Sequence, residues 1–242
     1  MTSIGIYGSL GRMGQAIAAV APEMNAQVAG GADAKDDPVT VAAGADVLID
    51  FSAPQALEAH LAAARAAGKP IVVGTTGLSP QHHALIDAAA KDIAVLQTGN
   101  TSLGIGLLQR LVREAAQQLG PDWDIEILEM HHRHKVDAPS GTALMLGHAA
   151  AAGMGTTLAE AEVTDRAGLT GARCAGTIGL ASLRGGSVVG DHSVVFATPG
   201  ERIEITHRAD DRAIFARGAV RAALWLAGKP AGRYTMDQVL GG

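Results

Sequence analysis

Aromatic side chains make up only 3% of this 242-residue chain, too few for the stacking platform of a single-strand nucleic-acid binder. Positive charge is also short. The 19 Lys plus Arg against 24 Asp plus Glu leave a formal net charge of -5, which argues against phosphate-backbone binding as the main task. Cys174 is the only cysteine, so no internal disulfide can form and a reducing compartment is the default. No uninterrupted apolar run is long enough to span a bilayer. The opening Met-Thr-Ser-Ile-Gly-Ile-Tyr leads into a strand pattern without the basic region and apolar core of a signal peptide. The expectation is a cytoplasmic protein with neither membrane nor nucleic acid as partner. The 48% hydrophobic and 18% charged fractions are those of a globular protein, long enough for one large domain or two modest ones.

What is present begins with glycine. The strand candidate Ser3 to Tyr7 runs into Gly8-Ser9-Leu10-Gly11-Arg12-Met13-Gly14, and helix is predicted from Gln15 to Ala21. Strand, glycine loop and helix start form an arrangement that can cradle a pyrophosphate. The spacing is G-x-x-G-x-x-G, with Ser9 where the usual dinucleotide fingerprint has glycine, so a plain tight turn remains an alternative. A second strand, Ala26 to Ala32, ends in Asp33 at about the 20-residue distance expected of a ribose-binding acid. A turn aspartate ahead of Lys35-Asp36-Asp37-Pro38 is the competing reading, and Lys35 is either a ribose 2′-phosphate partner or a solvated charge.

The pattern repeats through strands Val47 to Phe51, Ile71 to Val73 and Ile93 to Leu96, with helices from Ser52-Ala53-Pro54 and Ser79-Pro80. Such alternation predicts a doubly wound parallel α/β sheet, whose ligands lie beyond the carboxyl ends of the strands. Gly8 to Met13, Asp33, Gly74-Thr75-Thr76 and Thr98-Gly99-Asn100-Thr101 then share one rim, although the last two loops also read as ordinary turns. After a helix from Ser102 to Leu119, the strand candidates Trp123 to Met130, Thr177 to Leu183, Ser187 to Val189, Ser193 to Ala197 and Arg202 to His207 suggest a second α+β domain with a mixed, mostly antiparallel sheet. Helix returns from Arg212, and Tyr234 to Leu240 forms a short closing element.

Chemistry concentrates in Glu129 to Ala143, which holds His131, His132, Arg133, His134 and Lys135 ahead of a helix start at Ser140-Gly141-Thr142. A metal site would need converging partners, and Lys135 beside the imidazoles would repel a cation, so no metal is expected. Ser140 as a nucleophile competes with its role as an N-cap. Anion recognition with proton delivery is favoured, since His and Lys both donate to carboxylates and both can protonate a carbanion-like centre. An exposed cationic loop is the remaining alternative.

The run Glu129-Met-His-His-Arg-His-Lys-Val-Asp-Ala-Pro-Ser-Gly-Thr-Ala143 resembles the signature of the dihydrodipicolinate reductase family, as do Gly8 to Gly14, Gly74 to Gly77 and Phe215 to Arg221. The resemblance implies a Rossmann-like dinucleotide domain, 1–102 with 212–242, and a substrate-binding and oligomerisation domain, 103–211, in a homotetramer. It implies NADH or NADPH as cofactor and a small cyclic dicarboxylate, 4-hydroxy-tetrahydrodipicolinate or its dehydrated form, as substrate. Reduction to tetrahydrodipicolinate belongs to the diaminopimelate route to lysine. By position, His131 and Lys135 carry proton chemistry, and His132, Ser140, Gly141 and Thr142 hold substrate carboxylate. Gly8, Ser9, Leu10, Gly11, Arg12, Met13, Asp33, Gly74, Thr75, Thr76, Thr98, Gly99, Asn100, Thr101 and Arg212 hold the dinucleotide. A non-catalytic dinucleotide sensor and a metal-dependent hydrolase are the rival classes.

Some relatives in that family have Arg directly after the ribose-binding acid, where this chain has Ala34. The chain is therefore expected to use both coenzymes with a lean to NADH. Steady-state kinetics with each coenzyme test this, and a strong preference for NADPH overturns it.

Overall fold

Short apolar strands alternating with helix starts set the architecture of the first hundred residues. A computed structural model describes residues 1–241. The chain forms two units, Met1–Leu103 together with the segment beginning at Ala213, and Gly104–Arg212. In order come β1 (Thr2–Tyr7), α1 (Arg12–Val20), β2 (Ala26–Ala32), α2 (Pro38–Gly44), β3 (Val47–Asp50), α3 (Leu57–Ala66), β4 (Ile71–Val73), α4 (Pro80–Ala89) and β5 (Ala94–Gln97). Strand alternation sorts side chains onto two faces. Ile4, Ile6, Val47, Ile49, Val72 and Leu96 enter one core with α1. Tyr7, Leu48, Ile71, Val73 and Val95 enter the other with α2, α3 and α4. Helix α2 is not foreseen in the sequence pattern, where Asp36-Asp37-Pro38 belongs to the turn that competes with the ribose-binding reading of Asp33. Asp37 caps it by accepting from the Val39 amide at 3.0 Å, and Pro38 occupies the first turn, the Asp-Pro start signal of a helix.

The second unit contains most of α5 (Leu103–Leu119), then β6 (Asp124–His131), α6 (Gly141–Met154), α7 (Leu158–Ala161), β7 (Glu162–Val163), β8 (Ile178–Arg184), β9 (Gly190–Thr198) and β10 (Glu201–Ala209). The sheet order is β10-β9-β6-β8-β7. It is mixed: β9 runs antiparallel to both β6 and β10, whereas β8 runs parallel to both β6 and β7. Parallel neighbours need a long crossover, and α6 lies within the one joining β6 to β8. Helices α5, α6 and α7 cover one sheet face through Ile125, Ile127, Ile178, Leu180, Val194 and Phe196. The sequence reading places a strand at Ser187 to Val189 and a turn at Gly190-Asp191. The strand instead begins at Gly190, which pairs with Ala209. A Cβ at Gly190 would lie 3.0 Å from His131 Nε2, so this glycine serves close approach, not a turn.

The chain then returns to the first unit with α8 (Ala213–Leu226), β11 (Gly232–Tyr234) and α9 (Met236–Val239). Strand β11 adds to the edge beside β5, giving an all-parallel sheet in the order β11-β5-β4-β3-β1-β2. The doubly wound sheet is as the sequence pattern predicts, and this sixth strand is new. Helix α8 buries Ala216, Ala219, Val220, Ala223 and Leu226 against it. The approach is close at Gly218, where a Cβ would stand 1.8 Å from the Thr101 carbonyl oxygen. Gly218→Ala is therefore expected to cost about 2–3 kcal/mol or more and lower Tm by roughly 5–10 °C. Calorimetry checks this, with Gly44→Ala as the control, since nothing lies within 4 Å of a Cβ there.

Candidate active site

The rim of the first sheet is built by backbone that approaches too closely for side chains. Gly8 has φ 80°, a conformation that only glycine adopts freely, and its amide donates to Ala32 O at 2.8 Å. At Gly14 a Cβ would fall 2.3 Å from Gly8 O, so α1 packs directly on the turn. Gly11, at the N-cap of α1, has no side chain to satisfy the first amides, and these face an anion favourably. Leu10, Gly11 and Arg12 are exposed, while Met13 packs on the core.

Ser9, the departure from the dinucleotide fingerprint, has a partner in Gly31. A Cβ on Gly31 would lie 2.3 Å from Ser9 Cβ, so the extra side chain in the glycine loop uses the room left on β2. Its hydroxyl donates to Asp33 at 2.6 Å, and the Leu10 amide donates to the same carboxylate at 3.0 Å. Asp33 thus sits against the glycine loop at the end of β2, while Ala34 and Lys35 are exposed beyond it. These glycine cradles and the adjoining acid fit the phosphates and ribose of a dinucleotide.

Elsewhere on the rim, the Gly74 amide donates to Asp50 O at 2.9 Å, Thr75 is buried and Thr76 is exposed. Thr98 Oγ1 donates to Asn100 O at 2.8 Å and accepts from the Asn100 amide at 3.1 Å. Gly99 is exposed, and Thr101 Oγ1 is buried and donates to Phe215 O at 2.7 Å.

In the second unit two of the predicted residues, His131 and Ser140, meet at Glu129, to which the sequence pattern assigns no role. Its side chain is 1% exposed. It accepts from His131 Nδ1 at 2.6 Å, from both terminal nitrogens of Arg184 at 2.8 and 2.9 Å, and from the Ser140 amide at 3.2 Å. Burial by itself would raise the carboxyl pKa, but hydrogen bonds from Arg184, then His131, then Ser182 hold it down to about 2. An ionised Glu129 can only accept, so the His131 proton sits on Nδ1 in the neutral ring and Nε2 is the nitrogen left for chemistry. The motif has a legible part, since Glu129 and His131 stand two apart on β6 and share a face. Arg184 and His192 carry no such local signal. Sheet register brings them in, pairing His131 with Arg184 and Glu129 with His192.

Ser140 is buried and its hydroxyl is committed. It accepts from the Ala143 amide at 3.2 Å as the N-cap of α6 and lies 3.1 Å from His192 Nε2. Gly141 is exposed and Thr142 half-buried at the start of α6. Lys135 Nζ donates to both Asp137 oxygens at 2.8 Å, and the Asp137 carbonyl accepts from Arg184 at 2.7 Å. His132 is held below its ordinary pKa, first by burial and then by the charges of Arg212, His131, His134 and Lys135. Arg212 is the last residue of this unit. Among the described residues, no group of three or more His, Cys, Asp or Glu side chains is placed to hold a metal ion. A cleft of about 470 Å³ bounded by Glu126, Pro139, Arg166 and Ser182 touches none of the predicted residues.

His192 is 3% exposed, and burial, with the neighbouring His131, lowers its pKa to about 4 against a partial opposing pull from Glu129. Between pH 6.5 and about 4 the unfolded chain binds a proton that the folded chain refuses, so stability falls as pH falls through this window. The expected loss is roughly 3 kcal/mol, and His192→Gln should flatten it. Glu129, whose folded pKa is also depressed, contributes stability that is lost only at lower pH, between about 4.5 and about 2. Unfolding of the second unit followed across pH separates the two windows.

The two halves of the chain match two family models, "Dihydrodipicolinate reductase, N-terminus" over residues 2–101 and "Dihydrodipicolinate reductase, C-terminus" over residues 104–240. A 4-hydroxy-tetrahydrodipicolinate reductase of Zymomonas mobilis is 54% identical over 98% of this chain and 96% of its own length. One from Mesorhizobium japonicum is 56% identical over 85% of this chain and 76% of its own. A solved dipicolinate-bound dihydrodipicolinate reductase from Paenisporosarcina sp. TG-14 shares the fold, with TM-score 0.77 at 22% identity over 97% of each chain. A diaminopimelate dehydrogenase of C. glutamicum is a more distant fold neighbour, with TM-score 0.58 over 98% of this chain and 93% of its own. With both units matched in order, the chain belongs to the dihydrodipicolinate reductase family.

Proposed function

We infer that this chain catalyses the NAD(P)H-dependent reduction of 4-hydroxy-tetrahydrodipicolinate to tetrahydrodipicolinate, a step of the diaminopimelate route to lysine. The observation that carries the reading is the match of both halves of the chain to the two halves of one reductase family. The dipicolinate bound to the Paenisporosarcina protein supports a small aromatic or near-aromatic dicarboxylate as the ligand class of the second unit.

In this reading the dinucleotide is held by Gly8 to Met13, with Asp33 at the ribose and Gly74 to Thr76 and Thr98 to Thr101 completing the rim. Bound NADH or NADPH supplies the hydride. In the second unit, His132 and the Gly141-Thr142 amides at the start of α6 hold a substrate carboxylate, the helix dipole adding to the attraction. The 4-hydroxyl leaves as water to give the dehydrated form, and the negative charge that develops on its ring as the hydride arrives is quenched by a proton from the Lys135 ammonium. Asp137 keeps that ammonium in place through both of its oxygens. His131, aimed by Glu129, offers Nε2 as the second proton-handling atom. Ser140 contributes as the cap that forms the helix start, its hydroxyl already engaged.

We also propose a cytoplasmic homotetramer assembled through the outer face of the second sheet. Leu128 and Leu183 stand 41% and 47% exposed there, apolar side chains open to solvent on the face that the helices leave uncovered. Among the described residues no helix is long and apolar enough to cross a membrane.

The decisive assay is oxidation of NADH or NADPH with and without freshly generated product of the preceding synthase. Dinucleotide binding without substrate-dependent oxidation would return the chain to a non-catalytic sensor. Lys135→Ala is expected to lower kcat by about 10²–10⁴. A near-normal kcat would reduce Lys135 to a binding residue.

A further inference from the structure

In the first unit a buried ionisable cluster takes no part in the proposed proton transfer. Asp50, at the end of β3, is fully buried in the first unit. One oxygen of its carboxylate accepts from the Ser52 amide at 2.9 Å, Ser52 Oγ at 2.6 Å and Thr75 Oγ1 at 3.0 Å. The other meets His60 Nδ1 of α3 at 2.9 Å. His60 is itself buried and stacked on Tyr7 at 4.1 Å between centroids. Thr75 Oγ1 also accepts from the Ser52 amide at 3.1 Å. The Thr75 hydroxyl is therefore fully engaged within the protein, although Thr75 lies in a predicted dinucleotide loop.

The cluster ties together the two loops that flank Phe51. A Cβ on Gly8 would lie 2.5 Å from Phe51 O, and one on Gly74 would lie 2.3 Å from the Phe51 ring. Phe51 is thus wedged between the glycine loop and the Gly74–Thr76 loop, with no room for either to move toward it. Its next residue, Ser52, is held by Asp50 and Thr75.

We propose that Asp50, backed by His60, is a positioning residue for the coenzyme. Its carboxylate locks Ser52 to Thr75, so that Phe51 spaces the glycine loop from the Gly74–Thr76 loop and the rim amides stand ready for the dinucleotide. Thr75 acts inward through its hydroxyl and touches the coenzyme by its backbone alone. The inference rests on the dinucleotide role proposed for the first unit.

Binding of NADH, measured by calorimetry on the full chain, tests it separately from turnover. Thr75→Val removes both hydroxyl hydrogen bonds, one of them to the Asp50 carboxylate, and leaves the bonds of that carboxylate to Ser52 and His60 in place. It is expected to weaken NADH binding about 10- to 100-fold, the scale of losing a hydrogen bond to a buried charge, with the rise appearing in the coenzyme KM more than in kcat. Thr75→Ser should restore most of the affinity, and Asp50→Asn should behave like Thr75→Val. A purely structural role would lower Tm in these variants and leave the NADH Kd within about twofold, and that result overturns the proposal. If Asp50→Asn does not fold, the Thr75→Val and Thr75→Ser pair decides. Failure of the wild-type chain to oxidise NADH with substrate would count against the proposed reaction alone. Failure of the wild-type chain to bind NADH would overturn both.

Discussion

A buried carboxylate must find compensation for the water it has lost, and in the second unit that requirement falls on Glu129. Arg184, His131, the Ser140 amide and Ser182 all turn toward it. The consequence reaches beyond one charge. The same carboxylate selects the proton position on His131, fixes where α6 begins and, through Arg184, reaches the Asp137 carbonyl beside Lys135. The His131 ring, the Asp137 carbonyl and the helix start are thereby set by one centre, which holds them in one fixed arrangement.

Glycine plays the matching part in the first unit. At Gly8, Gly14, Gly31 and Gly74 the space a side chain would fill already belongs to another backbone segment or to Ser9 or Phe51. The rim is shaped by close approach and then held by hydrogen bonds within the protein. Ser9 shows how a departure from the usual fingerprint is tolerated: its side chain fills the place vacated at Gly31 and engages Asp33. The glycine of β2 answers the serine of the loop after β1.

Much of this was legible in the chain itself. Alternating apolar strands and capped helices define the doubly wound sheet because period and burial are local properties. The run from Glu129 to Ala143 announces its chemistry because the imidazoles, cations and helix start are contiguous. Asp37-Pro38 is a helix signal that also reads as turn chemistry. Gly190 differs from the turn its neighbours suggest because a glycine in sequence does not say whether it turns the chain or admits a neighbour. Strand β11 has no sequence signature because three residues have no period of their own.

The sequence by itself determined the two-part architecture, the glycine rim and the identity of the chemical run, since each depends on residues close together along the chain. Only the tertiary structure decided that Glu129 is the centre of that run. It also brought Arg184 and His192 to it, and turned the hydroxyls of Ser140 and Thr75 inward. Those outcomes depend on strand register and on the pairing of buried charges across more than twenty residues. No local pattern encodes them, because desolvation acts on the folded surroundings and not on the neighbours in sequence.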